Sequence, residues 1–258
     1  MPKSATDKRH FIIVGVLIAI STVFLNWLLN AVLPLGVKAS VEALTIDRLI
    51  GWHLLIIAFL FSLVVVFMIY AIVVFRHKEN DDATGLHFEG NTSLEIAWTV
   101  LPLVLVVIFT YIGLRDLNEI TKVEENELVV TALGQQWNWS FTYPNDTLSA
   151  ELVLPVDQPI LMKLEAKDVN HAFWVPEFRV KQDAVVGMTT EVRFTPSMTS
   201  AEYMAAEGRE FKLVCAELCG LSHWSMIAPV RIVEQDEYVA WLDEQLAKAN
   251  PAAISKTN

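Results

Sequence analysis

A chain of 258 residues with a net charge of −11 and a mean hydropathy of +0.41 is too apolar for an ordinary soluble domain and too charged for a wholly embedded one. An apolar anchor joined to a water-soluble domain is the simplest division. Charge divides the same way: residues 1–115 hold 8 acidic and 8 basic side chains and residues 116–258 hold 22 and 11, so the whole excess of negative charge lies in the second part. Such a domain repels nucleic acid and attracts a basic partner, and two cysteines, Cys215 and Cys219, are too few for a disulfide scaffold.

Three apolar runs come first in chain order, at residues 11–33, 52–75 and 95–115. Each is about 20 residues, or roughly 30 Å as a helix, enough to cross a bilayer. Trp27, Trp52, Tyr70, Trp98 and Tyr111 fall near their ends, where interfacial aromatics belong. Lys3, Lys8 and Arg9 predict an inside N-terminus, and three crossings then put Arg76, His77 and Lys78 inside and everything beyond about residue 115 outside; Lys38 and Arg48 in the outer loop weaken the contrast. The first run also reads as a secretory leader. Its length favours a retained helix, Ala39-Ser40 is a poor cleavage site, and either choice leaves the C-terminal domain outside.

The third run opens with Glu95, in Glu95-Ile-Ala-Trp98-Thr-Val-Leu-Pro102. A carboxylate at the inner membrane edge suits proton collection. Equally, Thr92-Ser-Leu-Glu95 has the pattern of a capping box, in which Glu95 only satisfies a helix start.

From about Glu127 the pattern changes to strand-like. The runs at residues 128–132, 137–143, 151–154, 160–164, 190–194, 211–214 and 230–233 are separated by turn residues such as Pro144-Asn-Asp, Gly187 and Gly208. About seven strands in about 110 residues predict an antiparallel β-sandwich or barrel over residues 125–234. A final amphipathic helix over residues 235–248 carries Tyr238, Trp241, Leu242 and Leu246 on one face.

The most informative segment is Cys215-Ala-Glu-Leu-Cys219-Gly-Leu-Ser-His223-Trp-Ser-Met226, with a second histidine, His171, upstream. Thiolate and thioether are soft ligands that favour Cu(I), and imidazole serves both oxidation states. One cysteine suffices for a mononuclear blue-copper site; two on so short a loop are able to bridge a pair of coppers. Taken singly, the cysteines also suit a disulfide, Met226 a core position, and two Cys with two His a zinc site that leaves Met226 unused. Only copper uses all of them together.

These residues resemble the copper loop of cytochrome c oxidase subunit II, bacterial type, and the likeness runs from about residue 46 onward. The resemblance implies a membrane-anchored α+β chain: two to three transmembrane helices, then a cupredoxin-like sandwich holding dinuclear CuA. It implies that Cys215 and Cys219 bridge two copper ions, that His171 and Met226 complete one, and that His223 and the Glu217 carbonyl complete the other. It also implies that the Glu217 side chain shares a magnesium ion with oxidase subunit I, that Trp137 accepts the electron from cytochrome c, and that Glu95 takes up protons. Gln135 and Asn138 stand where the commonest family pattern has His and Tyr, which touches donor docking and not the copper. The implied role is electron acceptance for oxygen reduction and proton translocation in a bacterial plasma-membrane oxidase, with the copper domain outside. A nitric oxide reductase subunit shares the loop but not the Glu95 segment. A nitrous oxide reductase needs a larger chain, and a quinol oxidase subunit lacks the ligands. A free copper carrier leaves Glu95 without purpose.

Overall fold

The computed structural model describes residues 5–76 and 89–249, except the side chains of Ala5, Thr6, Asp7 and Ala249. Lys3, His77 and Lys78, used in the orientation argument, lie outside these residues. The chain divides into two units, Met1–Leu35 with Asp47–Gly113, and Gly36–Ile46 with Leu114–Asn258.

The first unit is helical. Helices α1 (Ala5–Val32), α2 (Val41–Val74) and α3 (Thr92–Ile120) each contain a stretch long and apolar enough to span a membrane. Most of their large apolar side chains are exposed, Phe24, Phe61, Leu101 and Val107 among them, as suits a lipid surround rather than water. α1 meets α2 through small residues: Ala58 and Ser62 are fully buried, and the Ser62 hydroxyl donates to Ser21 Oγ at 3.0 Å. Small polar residues allow this close approach in membrane helices. The cap of α3 differs from the expected box. Asn91 Oδ1 accepts from Leu94 N–H at 3.2 Å, while Glu95 Oε1 accepts from Asn91 N–H at 3.2 Å. The reciprocal pair thus forms one residue earlier than Thr92, because asparagine caps at least as well as threonine.

The second unit is a sandwich of two five-stranded sheets. Its strands are β1 (Leu128–Gln135), β2 (Asn138–Thr142), β3 (Leu148–Ser149), β4 (Leu152–Pro155), β5 (Ile160–Ala166), β6 (His171–Trp174), β7 (Lys181–Ala184), β8 (Thr190–Phe194), β9 (Lys212–Cys215) and β10 (Ile227–Val233). One sheet runs β3-β2-β1-β5-β8 and the other β4-β10-β9-β6-β7. Pairing is antiparallel except for β1 with β5 and β4 with β10. Alternation puts Val130 and Ala132 of β1, Trp139 and Phe141 of β2, and Met162 and Leu164 of β5 inside, against Phe173, Leu213 and Ile232 of the facing sheet. Helix α4 (Ser200–Glu207) starts at a complete capping box of Thr199 and Glu202, and α5 (Gln235–Ala249) buries Tyr238 and Trp241, with Trp241 edge-on to Tyr143 at 4.9 Å.

Three strands exceed the seven expected. β3 is two residues long, β6 lies just before Pro176, and β7 reads Lys-Gln-Asp-Ala, with little intrinsic strand preference. β6 and β7 exist because they pair with one another from His171–Ala184 to Trp174–Lys181. The segment between α1 and α2 also joins this unit. Ala39 N–H donates to Glu177 O, Val41 N–H to Thr195 O and Ser197 N–H to Ala39 O, each at 3.0 Å; the fully buried Ser40 donates its hydroxyl to Phe178 O at 2.9 Å.

Candidate metal centre

Three pieces of the sandwich meet at one end. β6 supplies His171 at its first residue, β9 supplies Cys215 at its last, and the β9–β10 loop supplies Cys219, His223 and Met226. The base of that loop is closed by Cys215 N–H donating to Met226 O at 3.1 Å, and Ala216 N–H ties it to Ala172 O of β6 at 3.1 Å. A short 3-10 turn, His223–Ser225, returns the chain to β10.

The donor atoms cluster. Cys215 Sγ lies 3.8 Å from Cys219 Sγ and 3.9 Å from His171 Nδ1; Cys219 Sγ lies 3.5 Å from His223 Nδ1 and 3.7 Å from Met226 Sδ. The Glu217 carbonyl is 3.3 Å from Cys215 Sγ. The donor atoms of His171, Cys215 and Cys219 all fall within 4.8 Å of one another. Two donors bound at about 2.0–2.3 Å to one tetrahedral ion lie roughly 3.3–3.8 Å apart. These spacings therefore fit a shared metal, whereas a disulfide needs about 2.05 Å between sulfurs and both cysteines are free. Two thiols, two imidazoles and a thioether make a soft donor set suited to copper.

The surroundings hold these donors in place. His171 is wholly buried, with Trp139 edge-on at 6.0 Å. Gly134 gives the ring its room: a Cβ there would meet His171 Cδ2 at 2.8 Å. Asp168 Oδ1 lies 2.9 Å from His171 Nε2, so that nitrogen carries the proton and Nδ1 keeps its lone pair toward the sulfurs. Burial pushes the Asp168 carboxyl up, but the Gln136 N–H, His171 and the Val169 N–H outweigh it and hold the group down at about 2. Burial, together with the neighbouring Cys215 thiol, pushes the Cys219 thiol up to about 11.

Trp137 sits in the β1–β2 turn, 36% exposed, and donates its indole N–H to Cys219 O at 3.2 Å. The structure thus brings His171, Cys215, Glu217, Cys219, His223, Met226 and Trp137 together. The Glu217 side chain is exposed. Glu95 belongs to the helical unit, where its carboxylate serves the α3 cap. Asp168 and Gln136 were not singled out by sequence reasoning. The nearest signal was their place beside His171 and Trp137.

Comparison with known proteins gives the family. Residues 26–115 match the family described as cytochrome c oxidase subunit II, transmembrane domain, and residues 147–233 match its periplasmic domain. The alternative cytochrome c oxidase subunit 2 of Bradyrhizobium diazoefficiens is 31% identical over 232 residues, covering 78% of this chain and 80% of that one. This chain belongs to the cytochrome c oxidase subunit II family. Subunit 2 of Cereibacter sphaeroides is 29% identical, covering 84% of each chain. That of Alkalihalophilus pseudofirmus is 36% identical over 205 residues, which span 76% of this chain and 57% of the relative. Among solved structures, the periplasmic domain of subunit II of cytochrome oxidase from Bradyrhizobium japonicum is 30% identical with a TM-score of 0.43, covering 49% of this chain and 99% of that one. As a subunit II chain, it is anchored in the membrane by its apolar helices and carries the β unit on the extracytoplasmic side.

Proposed function

We propose that this chain accepts electrons for a haem–copper oxidase at a dinuclear copper centre and passes them toward haem in subunit I, where oxygen is reduced with proton translocation. The observation that carries this reading is the pair of unbonded sulfurs 3.8 Å apart, ringed by two imidazoles, a thioether and a backbone carbonyl. Cys215, Cys219, His171, His223, Met226 and the Glu217 carbonyl would together hold the copper pair. When bound, such a pair supplies a one-electron carrier whose charge is spread over two metals, so its bonds change little between redox states.

The chain's own residues set the terms for that carrier. Asp168 fixes the His171 tautomer, and the closed base of the loop fixes the spacing of Cys215 and Met226. Trp137, partly exposed and bonded to the Cys219 carbonyl, is the natural contact for cytochrome c. The exposed Glu217 carboxylate would hold magnesium jointly with subunit I. Glu95 would take up protons at the inner edge of α3 while also serving the cap.

The test is made on the full chain in detergent. Copper is added to the reduced protein, and metal per chain and the EPR spectrum are measured. Two coppers sharing one unpaired electron support the reading. A single blue-type copper, or a colourless chain joined Cys215 to Cys219, overturns it. Copurification with a haem-containing subunit then separates an oxidase from a free copper carrier.

A further inference from the structure

The turn between β1 and β2 contains a residue with two unusual attachments. The backbone N–H of Gln136 donates to Asp168 Oδ2 at 2.8 Å, and the other oxygen of that carboxylate holds His171 Nε2. The side-chain amide of Gln136 donates to the carbonyl of Cys219 at 2.7 Å. These partners lie 32 and 83 residues away along the chain. One reaches the metal cluster from the β6 side, the other from the β9–β10 loop. Gly220 leaves space for the second contact: a Cβ there would stand 2.9 Å from Gln136 Nε2, and its φ of +116° is one that other residues rarely adopt.

Resting on the copper reading above, we propose that Gln136 is a positioning residue that keeps the two halves of the metal centre in register. No other described residue donates both to the carboxylate that orients His171 and to the backbone of a cysteine in the loop. The Cys219 carbonyl has two lone pairs, taken by Gln136 and by Trp137. With the amide removed, the indole alone holds the peptide that carries Cys219 Sγ, and the sulfur is free to shift against Cys215 and His171. Outer-shell partners of this kind are worth about ten- to hundredfold in metal affinity, and loss of fixed geometry also alters the redox behaviour of the bound metal.

The test compares the full chain in detergent with Gln136→Glu, Gln136→Leu and Gln136→Asn. The first keeps the shape but, ionised, cannot donate; the second keeps bulk without polarity; the third keeps the amide but withdraws it. Copper affinity is measured by competition with a chelator, and alkylation of Cys219 is followed in the metal-free chain. All three variants are expected to hold copper about ten- to hundredfold more weakly and to expose Cys219 to alkylation faster. Gln136→Asn supplies both readouts should the other two fail to fold. Affinity and alkylation at parental levels in Gln136→Glu or Gln136→Asn overturn the proposal. A parental chain that takes up no copper pair sinks the copper reading instead, while the alkylation arm still reports on the contact.

Discussion

Gly134 shows how little space separates a working ligand from a displaced one. It lies in β1 opposite Trp139, and its missing side chain is the space the His171 ring occupies. Gly134→Ala forces that wholly buried ring against Trp139. We expect the variant to lose about 1–3 kcal/mol of stability through overpacking and to bind copper more weakly, because Nδ1 turns away from Cys215. Melting and copper titration of the variant check both effects; unchanged values for each would show that the ring has room elsewhere. Other site residues differ in how visible they were. Cys215, Cys219, His223 and Met226 crowd into one short segment, so their chemistry was legible. His171 needed the donor set for context. Gln136 acts through hydrogen bonds to Asp168 and Cys219, 32 and 83 residues away, and no local pattern marks such bonds; Asp168 stands only three residues before His171, but that spacing alone does not bring a carboxylate onto an imidazole.

At the scale of elements, the segment between α1 and α2 is the least expected. A basic, apolar start with Ala39-Ser40 after it invites a reading as a cleaved leader, yet Ala39 and Ser40 are fully buried and bonded to Glu177, Ser197 and Phe178. Cutting between them would place a new ammonium group at Ser40, inside the sandwich, where an unpaired charge is strongly unfavourable. The mature chain should therefore show no N-terminus at Ser40, which intact mass or terminal sequencing of the membrane-extracted protein decides. The spanning helices were legible from length and hydropathy alone, since a bilayer admits few other solutions. β7 was not, because its polar sequence becomes a strand only through pairing with β6, and pairing is a property of two segments at once.

Over the whole molecule, two ionic effects are expected. A basic donor of the kind proposed would be steered by the excess charge of the second half, so association should slow as salt rises, the screening length being about 10 Å at 0.1 M. Stopped-flow rates across ionic strength measure this, and a rate indifferent to salt would remove steering from the account. The second effect appears in alkali. All three tyrosines of the β unit are held protonated: burial pushes Tyr238 up to about 12, burial and the hydrogen bond to Glu177 push Tyr203 up to about 12, and burial drives Tyr143 higher still. An unfolded chain releases these protons near 10. Their contribution is therefore complete below pH 10 and is lost as pH rises through 12, because there the native state holds protons that the unfolded state has given up. Unfolding midpoints should fall across that window, with tyrosinate absorbance lagging until the unit opens. The division into anchor and sandwich was legible at this scale, as the charge balance changes near residue 116 and the period near residue 127.

The indole of Trp137 hangs from the same oxygen that accepts the Gln136 amide, the carbonyl of Cys219. Any movement of the Cys219 peptide would therefore be felt by the partly exposed ring as well as by the sulfur.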